Sequence, residues 1–348
     1  MFVGIARLAR DGALLEAKAQ ADYTELPTRR YFNRCTSNRV PFDWTLNPYR
    51  GCEFGCKYCY ARYTHEFMEF RDGREFETKI FAKAWDERAF RAELRRLDRR
   101  ESIAMGTATD PYQPAERRFF LSRKMLEAFA RERGYRLGIT TKSDLISRDA
   151  ALLGEIAARN ALSVTMTITT VDAALARGLE PMAPRPDLRL RAVQSLAEAG
   201  IEVSVYSSPV MPGINDSEAS LGRVAAAAKA HGAVGFGAHP VFLQPCAQRV
   251  FFPYLAERFP CLARAYREQF ERSAFLRGAY PEKIRKRVEA LRDRHGLAAG
   301  RPVPKWPGEF QLEFDFGCVV TSSEADGCCP ANESPGLRSP ADGQASAR

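Results

Sequence analysis

The 348-residue sequence predicts an α/β fold in which six strand–helix units build a parallel sheet covered by helices. Three observations predict it. Short apolar or β-branched runs recur at residues 44–46, 102–106, 136–140, 162–169, 201–206 and 233–238, with helical patterns between them. Gly134, Gly200 and Gly232 each stand just before one of these runs, where a glycine stops the preceding helix. Polar stretches follow the runs at 107–114, 141–144 and 207–216, the carboxyl ends of strands, where α/β proteins place their sites. Six units argue for an incomplete barrel over a closed eight. The same alternation also fits a doubly wound sheet.

In chain order, residues 1–41 are mixed and basic without a clear period, and read as an N-terminal extension packing on the main domain. The core domain runs from 42 to 245. Its first strand, 44–46, leads directly into a cysteine-bearing loop, and a helix over 60–70 follows with His65 at the surface. Asp86 is the expected N-cap of a helix that aligns Phe90, Leu94 and Leu97 on one face. Ser122 is the expected cap of the next helix. Further helices are expected from about 149 to 159, from near Pro186 to Gly200, and through the alanine-rich stretch before Gly232. Residues 246–300 form a C-terminal helical region, broken at Tyr280-Pro281. From about 319 to 348 the composition of Ser, Gly, Pro, Asp and Ala predicts a disordered tail, with Cys328 and Cys329 as incidental thiols.

The loop after the first strand reads Asn47-Pro48-Tyr49-Arg50-Gly51-Cys52-Glu53-Phe54-Gly55-Cys56-Lys57-Tyr58-Cys59-Tyr60. Its thiols follow C-x-x-x-C-x-x-C, a spacing that brings three sulfurs onto one small inorganic object, and iron–sulfur clusters are held by Cys thiolates. Three cysteines leave one iron of a four-iron cube without a protein ligand, and an open coordination position is where metal chemistry happens. Cys52, Cys56 and Cys59 are therefore the expected metal ligands. A structural zinc site is the competing reading, with Cys35 or His65 as a fourth ligand. The spacing differs from the paired C-x-x-C of zinc ribbons. Three cysteines are also an odd number for a disulfide framework.

This loop, with Tyr58 as the aromatic of C-x-x-x-C-x-aromatic-C, resembles that of the radical S-adenosylmethionine (radical SAM) superfamily. Its flank, N-P-Y-R-G-C, is similar to the branch containing spore photoproduct lyase. The resemblance covers roughly residues 42–245 and implies a partial (β/α)6 TIM-type barrel. It also implies a [4Fe-4S] cluster and S-adenosylmethionine as cofactors, with reductive cleavage to a 5′-deoxyadenosyl radical that abstracts a substrate hydrogen. A reductant such as flavodoxin or ferredoxin is then required. Thr109 and Asp110 suit the ammonium of S-adenosylmethionine, Lys142 its carboxylate, and Thr167, with Thr169, the ribose hydroxyls. Bland readings stand beside these: Thr165, Thr167 and Thr169 alternate as any strand face does, and Asp110-Pro111 makes a turn. The loop 212–216 lies near adenine or substrate, or simply caps a helix. The lyase carries a cysteine hydrogen donor where this chain has Thr107, a poorer donor, which counts against repair of thymine dimers.

Composition bounds the rest. Fifty-two Lys and Arg against 43 Asp and Glu leave a net charge of +9, which suits a nucleic acid as substrate or reflects solvated basic helix faces. A non-catalytic, metal-stapled nucleic-acid-binding protein is the alternative from another class. No apolar run reaches membrane-span length, and the first residues lack the apolar core of a secretory signal, so a cytoplasmic protein is expected.

Overall fold

In the computed structural model the described residues are 4–12, 14–17, 21–37 and 40–300. Their strands, in chain order, are β1 (Leu14–Ala17), β2 (Asp22–Leu26), β3 (Phe32–Arg34), β4 (Trp44–Leu46), β5 (Tyr49–Arg50), β6 (Lys79–Lys83), β7 (Ser102–Met105), β8 (Arg136–Thr141), β9 (Ala161–Thr167), β10 (Val203–Tyr206), β11 (Gly235–Gly237) and β12 (Ala298–Ala299). The six expected strands are β4 and β7 to β11. Each lies parallel to the next, so their order in space is their order in the chain. A doubly wound sheet reverses at a switch point. This one does not, and the winding is that of a partial barrel. Its edges are β3, antiparallel to β4, and β12, parallel to β11.

The pleat divides the sheet into two faces. Leu46, Ile103, Met105, Leu137, Ile139, Val164, Met166, Val203, Val205 and Phe236 are buried against the helices in one continuous core. The opposite face carries small or polar side chains in register: Thr45 beside Ala104, Ala104 beside Gly138, Thr140 beside Thr165, and Thr165 beside Ser204. The hydroxyls of Ser163 and Thr165 are buried there without a hydrogen-bond partner among the described residues. The barrel interior is thus polar and built from small groups.

Residues 1–41 hold more structure than their sequence suggests. β1 pairs with β2 and β2 with β6, while β5 returns antiparallel on β6, giving a second, four-stranded sheet that feeds the cysteine loop. The central strand β2 is specified by a partner more than 50 residues away, as Asp22 opposite Lys79, so local periodicity does not reveal it.

Helix ends differ in instructive ways. After the cysteine loop a turn over Tyr60–Arg62 and a short helix Tyr63–Glu66 replace the expected 60–70 helix, and the chain then turns at Glu69, whose φ is +65°. Asp86 does cap the next helix, accepting from Ala89 N at 3.0 Å. Ser122 does not cap its helix, which starts at Leu121. The Glu116 carboxylate caps it from the preceding turn, accepting from Ser122 N at 2.8 Å and Arg123 N at 3.1 Å. Beyond β11 the chain forms helices Pro245–Arg258, Pro260–Phe270 and Ala279–His295. Tyr280-Pro281 lies in the first turn of the last one, where proline is tolerated, and the break falls over 271–278. The expected disordered tail, with Cys328 and Cys329, lies outside the described residues. Among the described residues no helix is long and apolar enough to cross a membrane.

Candidate metal centre

The cysteine loop leaves β5 at the mouth of the barrel, and most of its main chain is tied down. Gly51 has φ +80°, and a Cβ there would meet the carbonyls of Lys79 and Phe76 at 2.8 and 2.9 Å. Gly55 has φ +62°, and a Cβ would stand 2.2 Å from a Glu77 carboxylate oxygen. Gly51 is thus required by the backbone around it, and Gly55 is favoured by its left-handed φ. Cys52 N donates to Phe76 O at 2.9 Å and Lys57 N to Leu179 O at 2.9 Å. Gln113, fully buried, donates to Gly51 O and accepts from Glu53 N, both at 3.0 Å. Arg62, equally buried, donates to Cys56 O at 2.9 Å and pairs with Glu77 at 3.0 Å. Asn47 braces the loop after β7, accepting from Ala108 N at 2.9 Å.

Cys52 and Cys56 are buried, Cys59 partly so, and all three belong to one apolar cluster with Phe54 and Tyr58. Burial pushes the Cys52 thiol well above its ordinary pKa, with the charges of Asp110 and the other two cysteines adding to it. Burial likewise raises Cys56 to about 12, although the Lys142 ammonium opposes it. Each of the two also feels the charge of another cysteine of the loop. Thiols of this kind become thiolates only when a metal takes the place of the proton, so loading releases protons. All six described cysteines are free thiols.

The zinc alternative finds no fourth ligand. His65 is buried, not at the surface; its Nε2 donates to Lys79 O at 2.9 Å, and its ring packs against Phe70, Phe76 and Phe81. Cys35 follows β3, its amide bonded to Asp43 O. Among the described residues no three His, Cys, Asp or Glu side chains gather as a single-ion site.

The strand-end residues divide into braces and one available charge. The Thr109 hydroxyl donates to Gly51 O at 2.5 Å and accepts from Gln113 Nε2 at 2.9 Å, which commits it to the cysteine loop. Both Asp110 oxygens are engaged, by Tyr112 N at 2.9 Å and by the Thr141 hydroxyl and Lys142 N at 2.7 Å each. Asp110 therefore fixes where β8 delivers Lys142. Burial still holds its pKa above the ordinary value despite those donors. Lys142 Nζ lies 5.8 Å from the Tyr58 ring centroid and makes no hydrogen bond among the described residues. Burial alone would lower its pKa, but Cys56, Glu180 and Asp110 outweigh that and keep it charged. Thr167 ends β9 and is buried; the contact it makes is through its carbonyl, to Arg189 Nη1 at 3.1 Å.

Thr169 belongs to a network that sequence reasoning missed. Its hydroxyl donates to Glu180 at 2.6 Å and meets the Tyr58 hydroxyl at 3.1 Å, while Tyr58 also donates to Glu180. Glu180 forms an ion pair with Arg189 at 2.6 Å, both side chains buried. Nothing in the spacing of Glu180 and Arg189 advertises them, whereas Asn47 and Gln113 flank motifs already singled out. The loop 212–216 braces itself: Asn215 bonds Met211 N, Thr169 O and Pro209 O, and Asp216 accepts from Gly213 N and Tyr280. Ser217 supplies the helix cap, through Ser220 N.

Residues 46–221 match the sequence profile of the Radical SAM superfamily. An uncharacterised protein of Mycobacterium tuberculosis is 37% identical over 267 residues, covering 76% of this chain and 78% of that one. An uncharacterised protein of Methanocaldococcus jannaschii is 26% identical over 246 residues, 71% of this chain and 83% of that one. Among solved structures, spore photoproduct lyase complexed with dinucleoside spore photoproduct shares the fold. The TM-score is 0.59 at 13% identity, over 80% of each chain.

Proposed function

Because the chain belongs to the radical SAM superfamily, we propose that Cys52, Cys56 and Cys59 hold a [4Fe-4S] cluster at the barrel mouth and that S-adenosylmethionine binds beside it. The donor set fits by its chemistry: three free cysteines on one glycine-shaped loop, with no fourth ligand beside them among the described residues. When bound, the pair supplies reductive cleavage of the sulfonium and a carbon-centred radical for hydrogen abstraction.

One observation carries the reading. Lys142 holds a charged ammonium beside the cysteine loop with no hydrogen-bond partner of its own, which suits a carboxylate ligand. Asp110 positions Lys142 through the main chain. Thr109 and Gln113 hold the loop in place. The Thr167 hydroxyl suits the ribose diol. Tyr58 backs the site through its bond to Glu180 of the Glu180–Arg189 pair. Free thiols throughout the described residues agree with a reducing, cytoplasmic setting.

We further infer that the substrate is a nucleic acid. An aromatic strip starts one residue after Cys59. Tyr60 lies 4.9 Å from Phe242 and 6.5 Å from Tyr63, centroid to centroid, and Tyr63 leads on to Phe67, Phe242 to Phe275. Tyr63, Phe67 and Phe275 are exposed. Arg50, half-buried near Tyr63, has no acidic partner among the described residues. Exposed rings beside an unneutralised guanidinium suit stacked bases and a phosphate.

Anaerobic reconstitution tests the first reading. Four irons per chain should be taken up, and dithionite with S-adenosylmethionine should yield 5′-deoxyadenosine. Cys56→Ala should lose both iron and product. Lys142→Met should keep the brown cluster while S-adenosylmethionine affinity drops at least tenfold. A colourless preparation holding zinc alone would favour the metal-stapled binder and overturn the proposal. For the substrate, single-stranded oligonucleotide binding should weaken with rising salt and fall in Tyr63→Ala/Phe67→Ala; binding indifferent to both sinks that inference.

A further inference from the structure

A cleft of about 390 Å³ borders the cysteine loop, lined among others by Phe54, Arg117, Asp144, Arg177, Met182 and Arg185. Phe54 lies between Cys52 and Cys56 in the chain. The opposite wall is bonded directly to the loop, Met182 N to Phe54 O at 3.2 Å and Lys57 N to Leu179 O at 2.9 Å. The cleft therefore adjoins the cysteine loop directly. It is separate from the Tyr60–Phe242 strip and takes no part in the mechanism above.

The charges around the cleft are one-sided. Arg117 and Arg177 are exposed and have no acidic partner among the described residues; Arg177 donates instead to the Pro181 carbonyl. Arg185 shares one carboxylate, Asp187, with Arg191, at 3.0 and 3.4 Å. Asp144 is the sole acid in the lining. Met182 in the lining is 52% exposed, a large apolar side chain in a cleft that three arginines also line. An exposed apolar side chain together with charges of one sign suits a weak, electrostatically steered contact, and electron-transfer encounters lie at the small end of interface sizes.

We propose that this cleft is the docking surface for an acidic, low-potential one-electron carrier protein, of the flavodoxin or ferredoxin kind. The proposal rests on the iron–sulfur reading. In the encounter the carrier is oxidised by one electron and the centre held by the three cysteines is reduced by one; no atom is transferred.

The test uses the reconstituted full chain and a flavodoxin in its hydroquinone state, whose oxidation is followed by stopped-flow absorbance at low ionic strength. Arg117→Glu/Arg177→Glu should slow the second-order rate about tenfold or more and flatten its salt dependence. Calorimetric binding of oxidised flavodoxin should weaken in parallel. The dithionite rate and iron content should be unchanged. Arg264→Glu/Arg267→Glu, on the helix Pro260–Phe270, which does not line the cleft, makes the same change in net charge and should leave the flavodoxin rate alone. Equal flavodoxin rates in the double variant overturn the proposal. So does an equal loss with dithionite, which assigns the effect to the centre itself. Loss of oligonucleotide binding with an intact flavodoxin rate overturns it in favour of a nucleic-acid contact. Wild-type protein that takes up no iron brings down the iron–sulfur reading and this proposal with it, an outcome distinct from the others.

Discussion

His65 shows how much one side chain conveys beyond its letter. It is buried against three phenylalanines, its Nε2 is spent on Lys79 O, and its Nδ1 has no partner among the described residues. Burial lowers its pKa to about 4 from an ordinary 6.5, with Arg50 and Arg62 adding repulsion. The folded state therefore favours the neutral ring. That stability is complete above pH 6.5 and is lost as pH falls through 6.5 towards 4. Between pH 7.5 and 5 the loss from this group should be about 2 kcal/mol. Urea unfolding of wild type and His65→Phe at both pH values checks it: the variant should lose less stability on acidification by roughly that amount, and parallel losses would refute the assignment. Gly55 sits at the same scale. An alanine there meets Glu77 at 2.2 Å and a left-handed φ, so Gly55→Ala should reduce iron retention on reconstitution even where the fold survives.

At the scale of elements, the connection Leu179–Arg185 links three things: the cleft wall, the back of the cysteine loop, and the Glu180–Arg189 pair. Burial would raise the Glu180 carboxyl, but Arg189 and Lys142 outweigh it and hold its pKa below the ordinary range. Removing one partner strands a buried charge, which costs about 3–5 kcal/mol. Glu180→Gln should accordingly destabilise far more than Glu180→Gln/Arg189→Met, in which neither charge remains. Chemical denaturation of the two variants decides this, and equal losses would mean the pair contributes only as packing. The same elements explain what sequence reasoning reached. The barrel strands were legible because parallel strands buried against helices read as short apolar runs, and the cysteine loop because its spacing is local. Thr109 and Asp110 were found as motif residues, but their bonds to the Gly51 carbonyl and to Lys142 N are not readable from the motif. Glu180 and Arg189 were invisible because their meaning comes from Tyr58, more than 100 residues upstream. The N-terminal sheet escaped for the same reason, since Tyr23 pairs with Ile80.

At the scale of the whole molecule, one edge of the barrel sheet is finished late. Helix Ala279–His295 buries Ile284, Val288 and Leu291 in the main core, and β12 then pairs with β11, while the Tyr206 hydroxyl donates to Gly300 O at 2.7 Å. A chain ended at residue 278 loses all of this. Three buried aliphatic side chains alone are worth about 5 kcal/mol or more, a large share of an ordinary domain's stability. Such a chain should melt at least 10 °C lower or precipitate, measured by circular dichroism; an unchanged melting temperature would show the C-terminal segment to be dispensable. The opposite edge is covered by β3 from the first 34 residues. During synthesis, then, one rim of the sheet is dressed almost as soon as its neighbour appears, while the other waits for some 60 further codons after β11 has been made. At about 5–20 residues per second that is several seconds of naked backbone amides beside the ribosome, the interval in which a chaperone would have most to do.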